Sequence, residues 1–509
     1  MAKNTDLGGV FMTDLDGQIT SSVFLSTENV VGIIFDTAIV GGLTNALGSS
    51  GTAFDNFGGG KVVELNTTDD LKESGIDATI MHGLPYYHLD KFFKLAGNGR
   101  RLFVSFMNST DDPDFEAIEK MQLASGGIIY QIGVWTSKPV AQEVTKYTAV
   151  ANPTGNPSAL HYYKKNDESY VAAVETTVAA ETTYYTAETS LVIPDNSILA
   201  TLQQQAEILG GKVGVTNWDG NTPINILLNA PVVNVATCDY KKLPDLSVYD
   251  FPKVSYLIGQ AATDAVHDIM LAVNTASGTA TYAPVGNIGV AMAILAVAPA
   301  NKSIAYVGGY NLANAMTEAE LGFGNLTINS ETTGEGASAV TTYKWNSAVA
   351  FTDIKTISYQ KRNNLLHKKG YIFLMDHAGL EGGIFFSSDQ TLSNGDYRTI
   401  SRGRVMHKSR RVVRRALLPS VNNDWEVDTR TGYLSASAIS SFQNTVLEAL
   451  DANMKVPGGT QPQISGRTCK IDKEQDVLNN DGVDIEYSLI PRGCTAAIRV
   501  KEGFKATAS

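Results

Sequence analysis

Cysteine is scarce in this chain: Cys238, Cys469 and Cys494 are the only three among 509 residues. They are far apart and odd in number, which excludes a disulfide framework and points to a reducing compartment. No CxxC pair and no Cys/His spacing of a zinc site occurs, so neither a metal nor a cofactor is expected. The seven histidines include no HExxH pair, and His82 and His88 lie six apart, which does not stack them on one helical face. Long apolar runs are also missing. The most hydrophobic window, Val285 to Pro299, is too short and too rich in Gly and Pro to span a membrane, and reads as a buried helix or a helix–strand pair. The first residues, MAKNTDLGGVFMTDLDG, lack the apolar core of a signal peptide, so synthesis in the cytoplasm without export by the usual route is expected. A basic excess is missing as well: the net charge of −12 argues against nucleic acid as the main partner.

Catalytic signatures are equally thin. Gly58-Gly59-Gly60-Lys61 lacks the upstream glycine and the following Ser/Thr of a phosphate loop. Gly48-Ser49-Ser50-Gly51 misses the spacing of a nucleophile elbow. Asn479 to Asp484 has the look of a calcium loop with an incomplete ligand series, and an Asn-Asp-Gly turn explains it as well. No catalytic residue is assigned.

What is present is enough apolar material for large cores. Hydrophobic residues make up 43% and charged ones 18%, and the length suggests two to three domains. Residues 1–24 are dotted with Gly, Asp and Ser, cannot form a core alone, and read as an arm. From Val30 the pattern changes. Val30 to Phe35, Arg101 to Phe106 and Gly127 to Val134 are apolar runs of the kind buried on both faces of a sheet. Helical spacing at Asp114–Ala124 and Ser197–Leu209 alternates with such runs, as do strands expected at Lys212–Val215, Ile224–Leu228 and Val254–Gly259. This predicts an α/β domain with a largely parallel sheet over residues 25–345.

A Tyr/Thr/Val-rich stretch at about 150–190 interrupts it and reads as a surface insertion of β-hairpins, with Tyr162-Tyr163 and Tyr184-Tyr185 on opposite legs. A Gly/Thr-rich stretch from Thr327 to Thr342 separates this half from an α+β part over 346–493. That part is expected to hold a helix near Thr352–Lys368, a strand from Gly370 to Asp376, two amphipathic helices and two terminal strands. The second of those helices is placed at Ser437–Met454, with Ile439, Phe442, Val446, Leu450 and Met454 on one face.

One constellation stands out. Between Arg398 and Arg415 lie eight basic residues and no acid: Arg398, Arg402, Arg404, Lys408, Arg410, Arg411, Arg414 and Arg415. The same segment carries an apolar stripe of Val405, Val412, Val413, Ala416 and Leu417, and Pro419 ends it. So much like charge on one helix repels itself unless something opposes it. Three readings stand on pattern alone: an acidic protein partner, a solvated basic face, or phosphates.

The run Tyr397 to Pro419, YRTISRGRVMHKSRRVVRRALLP, resembles the signature region of contractile tail sheath proteins, in a divergent branch of phage tail sheath-like proteins. Arg404-Val405, Lys408, Arg411 and Leu417-Leu418-Pro419 match its arginine–valine pair, basic helix and leucine–proline stop. His407 departs from it, since the pattern has an acidic residue there. Gly370 to Ser393, Ile464 to Asp472 and Asp476 to Gly493 follow in the family's order, so the resemblance spans about Gly370 to Phe504.

The resemblance implies a structural subunit of a virion tail that stacks as hexameric rings in a helix around an inner tube and shortens to drive the tube through a cell envelope. It implies partners: other copies of the chain, the inner tube protein, and baseplate and tail terminator proteins, with no membrane insertion by the sheath itself. It also implies that Arg404, Lys408, Arg411 and Arg415 face the tube, and that the arms 1–24 and 494–509 are exchanged between subunits. The tail's alternation places Ala496, Ile498 and Val500 on one face of a donated strand, with an edge strand of its own domain as the alternative. Another tail or baseplate protein, or an enzyme on an α/β fold with a polar pocket at its strand ends, remain the competing readings.

Overall fold

In the computed structural model the described residues are 29–36, 60–76, 84–211, 222–258, 287–321, 329–333, 340–344, 364–455 and 462–494, apart from short stretches within several of these spans. The arms apart from Cys494, the strand expected at 212–215 and the larger part of the helix expected at 352–368 lie outside them; residues 364–368 are helical.

A seven-stranded sheet organises the larger part of the chain. Its strands are β1 (Val31–Asp36), β2 (Val62–Leu65), β3 (Leu102–Met107), β4 (Gln131–Trp135), β9 (Asn225–Ala230), β10 (Val254–Ile258) and β13 (Tyr371–Ile372). Their order across the sheet is β13-β10-β9-β4-β1-β3-β2. All neighbours are parallel except β2, which runs against β3 at one edge. The apolar run of β1 is buried at all six positions, as a central parallel strand requires.

Alternate residues of each strand feed two cores. Val31, Ile33 and Phe35 of β1, with Leu102, Val104 and Phe106 of β3, pack beneath α1 (Thr68–Glu73), α2 (Leu84–Ala96) and α5 (Ile288–Val297). Ile34, Ile132, Val134, Ile226 and Leu228 face α3 (Ala117–Ala124) and α4 (Ile198–Leu209) on the other side. Helix α5 is hydrophobic all round and buried from Ile288 to Ala296, which explains why its sequence looked like a truncated membrane span. Among the described residues no helix is long and apolar enough to cross a membrane.

The insertion forms a four-stranded antiparallel sheet of β5 (Gln142–Ala149), β6 (Tyr163–Asn166), β7 (Ser169–Ala172) and β8 (Tyr184–Val192), in the order β5-β8-β6-β7. Tyr163 pairs with Tyr185 and Lys164 with Tyr184, while Tyr147 stacks on Tyr170 with ring centroids 3.9 Å apart.

Two boundaries differ from the sequence reading. The Gly/Thr-rich separator contains a hairpin, β11 (Asn329–Thr333) against β12 (Val340–Lys344), because its Thr and Val residues suit a ladder despite the glycines around them. The strand expected to open the C-terminal part is β13, which completes the first sheet by pairing Tyr371 with Tyr256 and Ile372 with Leu257. The chain then leaves that sheet through the two-residue pair β14 (Leu374–Met375) and β15 (Phe385–Phe386).

A third core forms the C-terminal part. It lies between α6 (Ile400–Leu417), α7 (Ala436–Leu450) and the antiparallel pair β16 (Ile464–Ile471) and β17 (Ile485–Pro491). The side chains of Thr399 and Ser435 cap α6 and α7, accepting from the N–H of Arg402 and Ala438. The expected stripe of α7, Ile439, Phe442, Val446 and Leu450, is buried, and a π-helical turn carries it on to buried Met454.

Candidate assembly interface

Helix α6 belongs to both halves. Val405, Val412, Val413 and Leu417 enter the C-terminal core, while Arg404, Arg410 and Arg411 reach toward the sheet and the helices that flank it. Within the subunit the four residues expected to face a tube are placed as follows. Arg404 and Lys408 are 2% and 1% exposed. Arg404 Nη2 donates to the carbonyls of Leu295 and Ala298, each at 2.9 Å, and to Asn29 Oδ1 at 3.2 Å. Lys408 Nζ donates to Gln463 Oε1 at 2.8 Å. Half-buried Arg411 donates to the carbonyls of Ile129 (2.6 Å) and Pro223 (2.9 Å), and its guanidinium lies 3.8 Å over the ring of Tyr130. Buried Arg410, which the expectation did not single out, donates to the carbonyl of Gly210 at 2.8 Å. Arg415 alone of the four named residues is exposed.

The acceptors explain how a helix can bury this much charge. Leu295 and Ala298 end α5, and Gly210 caps α4. Helix carboxyl ends carry orphan carbonyls and partial negative charge, so a guanidinium satisfies both. The opposing charge that the sequence demanded is thus backbone, which no count of Asp and Glu can reveal. Burial still weighs on these groups. It pulls the pKa of Arg410 down to about 10, which leaves that group charged at neutral pH, and it lowers the pKa of Arg411. His407, also buried, is held neutral by burial and by nearby Lys253 and Arg411.

The carboxyl ends of the parallel strands are where an α/β enzyme builds its site. There Asp36, at the end of β1, accepts from Thr136 Oγ1 at 2.6 Å and from the Ser109 N–H at 2.9 Å. The carboxylate is occupied by bonds that hold the strand ends together. Buried His88 stacks on Phe35, and burial pushes its pKa down to about 3, so it is a neutral core group. Among the described residues no group of three or more His, Cys, Asp or Glu is placed to hold a metal ion.

The C-terminal core has a different kind of opening. Strands β16 and β17 pair only with each other among the described residues, over seven register pairs. Helix α7 covers one face, into which Ile464, Ile471 and Leu489 point. The other face carries Ser465, Thr468, Lys470 and Glu486, with Ile490 61% exposed. Ala496, Ile498 and Val500 lie outside the described residues, which reach Cys494, three residues beyond the end of β17.

Residues 396–509, which begin just before α6, match the family described as DUF2586, C-terminal domain, less than a quarter of the chain. No curated protein matches. Among solved structures the chain is similar to one in the baseplate of the anti-feeding prophage, 6-fold symmetrised, at 10% identity and a TM-score of 0.46, over 98% of this chain and 99% of that one. It is similar at the same identity and score to the helical sheath of that prophage in the contracted state, over 99% of each chain. A third likeness, to the PVC sheath complex of an extracellular contractile injection system in its contracted state, has 10% identity, a TM-score of 0.43 and 99% coverage of both chains.

Proposed function

We propose that this chain is a structural subunit of a contractile tail sheath, assembling with further copies of itself around an inner tube and between baseplate and terminator proteins, without catalysis of its own. The observation that carries the reading is the two-stranded sheet of the C-terminal part, whose strands pair only with each other among the described residues. A two-stranded sheet is marginal in water, and its unpaired edges invite another strand. The chain supplies candidates in its two ends, which lack cores of their own. Ala496, Ile498 and Val500 alternate as a strand added to such an edge needs, with backbone bonds giving affinity and alternate side chains filling pockets. Donation between copies also yields the heterologous, non-closing contact that a helical stack requires. The basic signature helix has a different part in this reading: it ties the two-stranded sheet to the rest of the subunit. Exposed Arg415 remains as the tube contact among the four basic residues.

Electron microscopy of the purified protein tests this. Striated tubes are expected for the full chain, and soluble, folded, unassembled protein for chains lacking residues 1–24 or 494–509. Normal tubes from both truncations would refute arm exchange, and a full chain that stays monomeric even with its tube would refute the sheath reading.

A further inference from the structure

Where α6 crosses the amino ends of the sheet strands, three buried polar side chains converge from three elements. Gln131 opens β4 and Asn225 opens β9, and they are register partners in the parallel pair. Each is 1% exposed. Gly403 of α6 lies directly over Asn225, so that a methyl group there would come within 2.7 Å of Asn225 Oδ1. His407, 2% exposed, stands one turn further along the same helical face. It is close to Lys253, whose carbonyl accepts from the N–H of Ile226, the neighbour of Asn225.

All four polar atoms of the two amides, and Nδ1 of His407, lack a hydrogen-bond partner among the described residues. Folded interiors satisfy nearly all such atoms, and a buried polar atom left dry is costly. Five at one seam therefore point to an occupant. A cation is disfavoured by Lys253 and Arg411, which flank His407. An anion would engage the amide N–H groups and leave Asn225 Oδ1 and Gln131 Oε1 unsatisfied. Water both donates and accepts, and an interior water makes about three hydrogen bonds. On that count about two molecules meet all five atoms.

We propose that the seam between α6, β4 and β9 is a binding site for ordered water, held by Gln131, Asn225 and His407 beneath Gly403. The C-terminal part is then joined to the sheet by a hydrated contact as well as by the arginine bonds.

Two measurements on the full-length protein test this. A density map of the assembled protein, at a resolution that shows waters, should hold peaks within hydrogen-bond distance of Asn225, Gln131 and His407. Thermal unfolding of Asn225→Leu and Gln131→Met should come a few degrees below the parent, because each near-isosteric apolar side chain displaces water that the remaining groups still need. If the amides are dry, or turn to pair with one another, the map is empty there. If they are dry and unsatisfied, apolar replacement leaves the melting temperature equal or raises it. Either result overturns the proposal, and should a variant fail to fold, density in the parent decides.

Discussion

Replacing Arg411 by methionine separates a structural role for the basic helix from a partner-binding one. The change removes two hydrogen bonds from a charged donor, to the carbonyls of Ile129 and Pro223 at 2.6 and 2.9 Å, and a cation–π contact at 3.8 Å to Tyr130. Hydrogen bonds of this kind are worth about 1.5–3 kcal/mol each. A desolvated cation–π contact adds about 2 kcal/mol. Against this, methionine keeps much of the side chain's packing and removes the cost of desolvating a charge. A net loss of about 3 kcal/mol is expected, with the two abandoned carbonyls the larger part of it.

Thermal unfolding reads the effect. For a unit of 150–250 residues each kcal/mol moves the midpoint by about 2–4 °C, so a fall of roughly 6–12 °C is expected. Arg415→Met is the control: its side chain is exposed, and a change within about 0.5 kcal/mol is expected. Charge reversal sharpens the contrast. Arg411→Glu would set a carboxylate against carbonyls that need a donor and should abolish folding, whereas Arg415→Glu should fold normally. Unchanged stability for Arg411→Met, together with loss of binding to a partner tube, would refute the buried-clamp account and restore the open basic face.

Three further outcomes follow from the packing. Gly289→Ala should prevent soluble expression or lower stability severely, since its methyl would lie 2.0 Å from the backbone oxygen of His88, where α2 and α5 touch; a variant melting like the parent would contradict that approach. Stability should fall with acid. The folded pKa of His88, about 3, lies below its unfolded value near 6.5, so its contribution is complete above pH 6.5 and is lost as pH falls toward 3. At pH 5 the loss from His88 alone is about 2 kcal/mol, measurable by urea unfolding at pH 5 and 8, and His88→Phe should reduce the difference. Excising residues 142–192 behind a short linker should leave a folded chain, because Gln142 and Val192 are paired neighbours at the base of the insertion; circular dichroism and melting of the excised chain check it.

Much of this architecture was legible because local chemistry and tertiary context agree. The run around Ile33 is apolar at successive positions, which only a strand covered on both faces needs, and β1 is such a strand. Helical spacing begins at Ser197, and that side chain caps α4 by accepting the N–H of Ala200. The tyrosine pairs implied facing legs, and β6 and β8 set Tyr163 opposite Tyr185. The boundary near residue 370 was illegible for a physical reason. Tyr371 and Ile372 are as apolar as any strand, but nothing local says that they join β10, a partner more than a hundred residues earlier.

The basic helix shows what reading by charge leaves out. Its pattern, an apolar stripe opposite a run of Arg and Lys, is that of a surface helix, because solvent or an acidic partner is the usual companion of such a face. The carbonyls that receive Arg404 and Arg410 belong to the ends of α5 and α4, about 100 and 200 residues earlier in the chain. Helix ends carry the same groups whatever their side chains, so they leave no mark in composition. Arginine rather than lysine is the one local hint: Nη2 of Arg411 reaches two carbonyls while its guanidinium plane lies over the Tyr130 ring, a stacking that the point charge of lysine does not reproduce. A lysine at 411 would therefore be a poor substitute despite equal charge. Arg411→Lys should recover only part of the stability that Arg411→Met loses, and full recovery would mean that charge, not the stacked guanidinium, holds the seam.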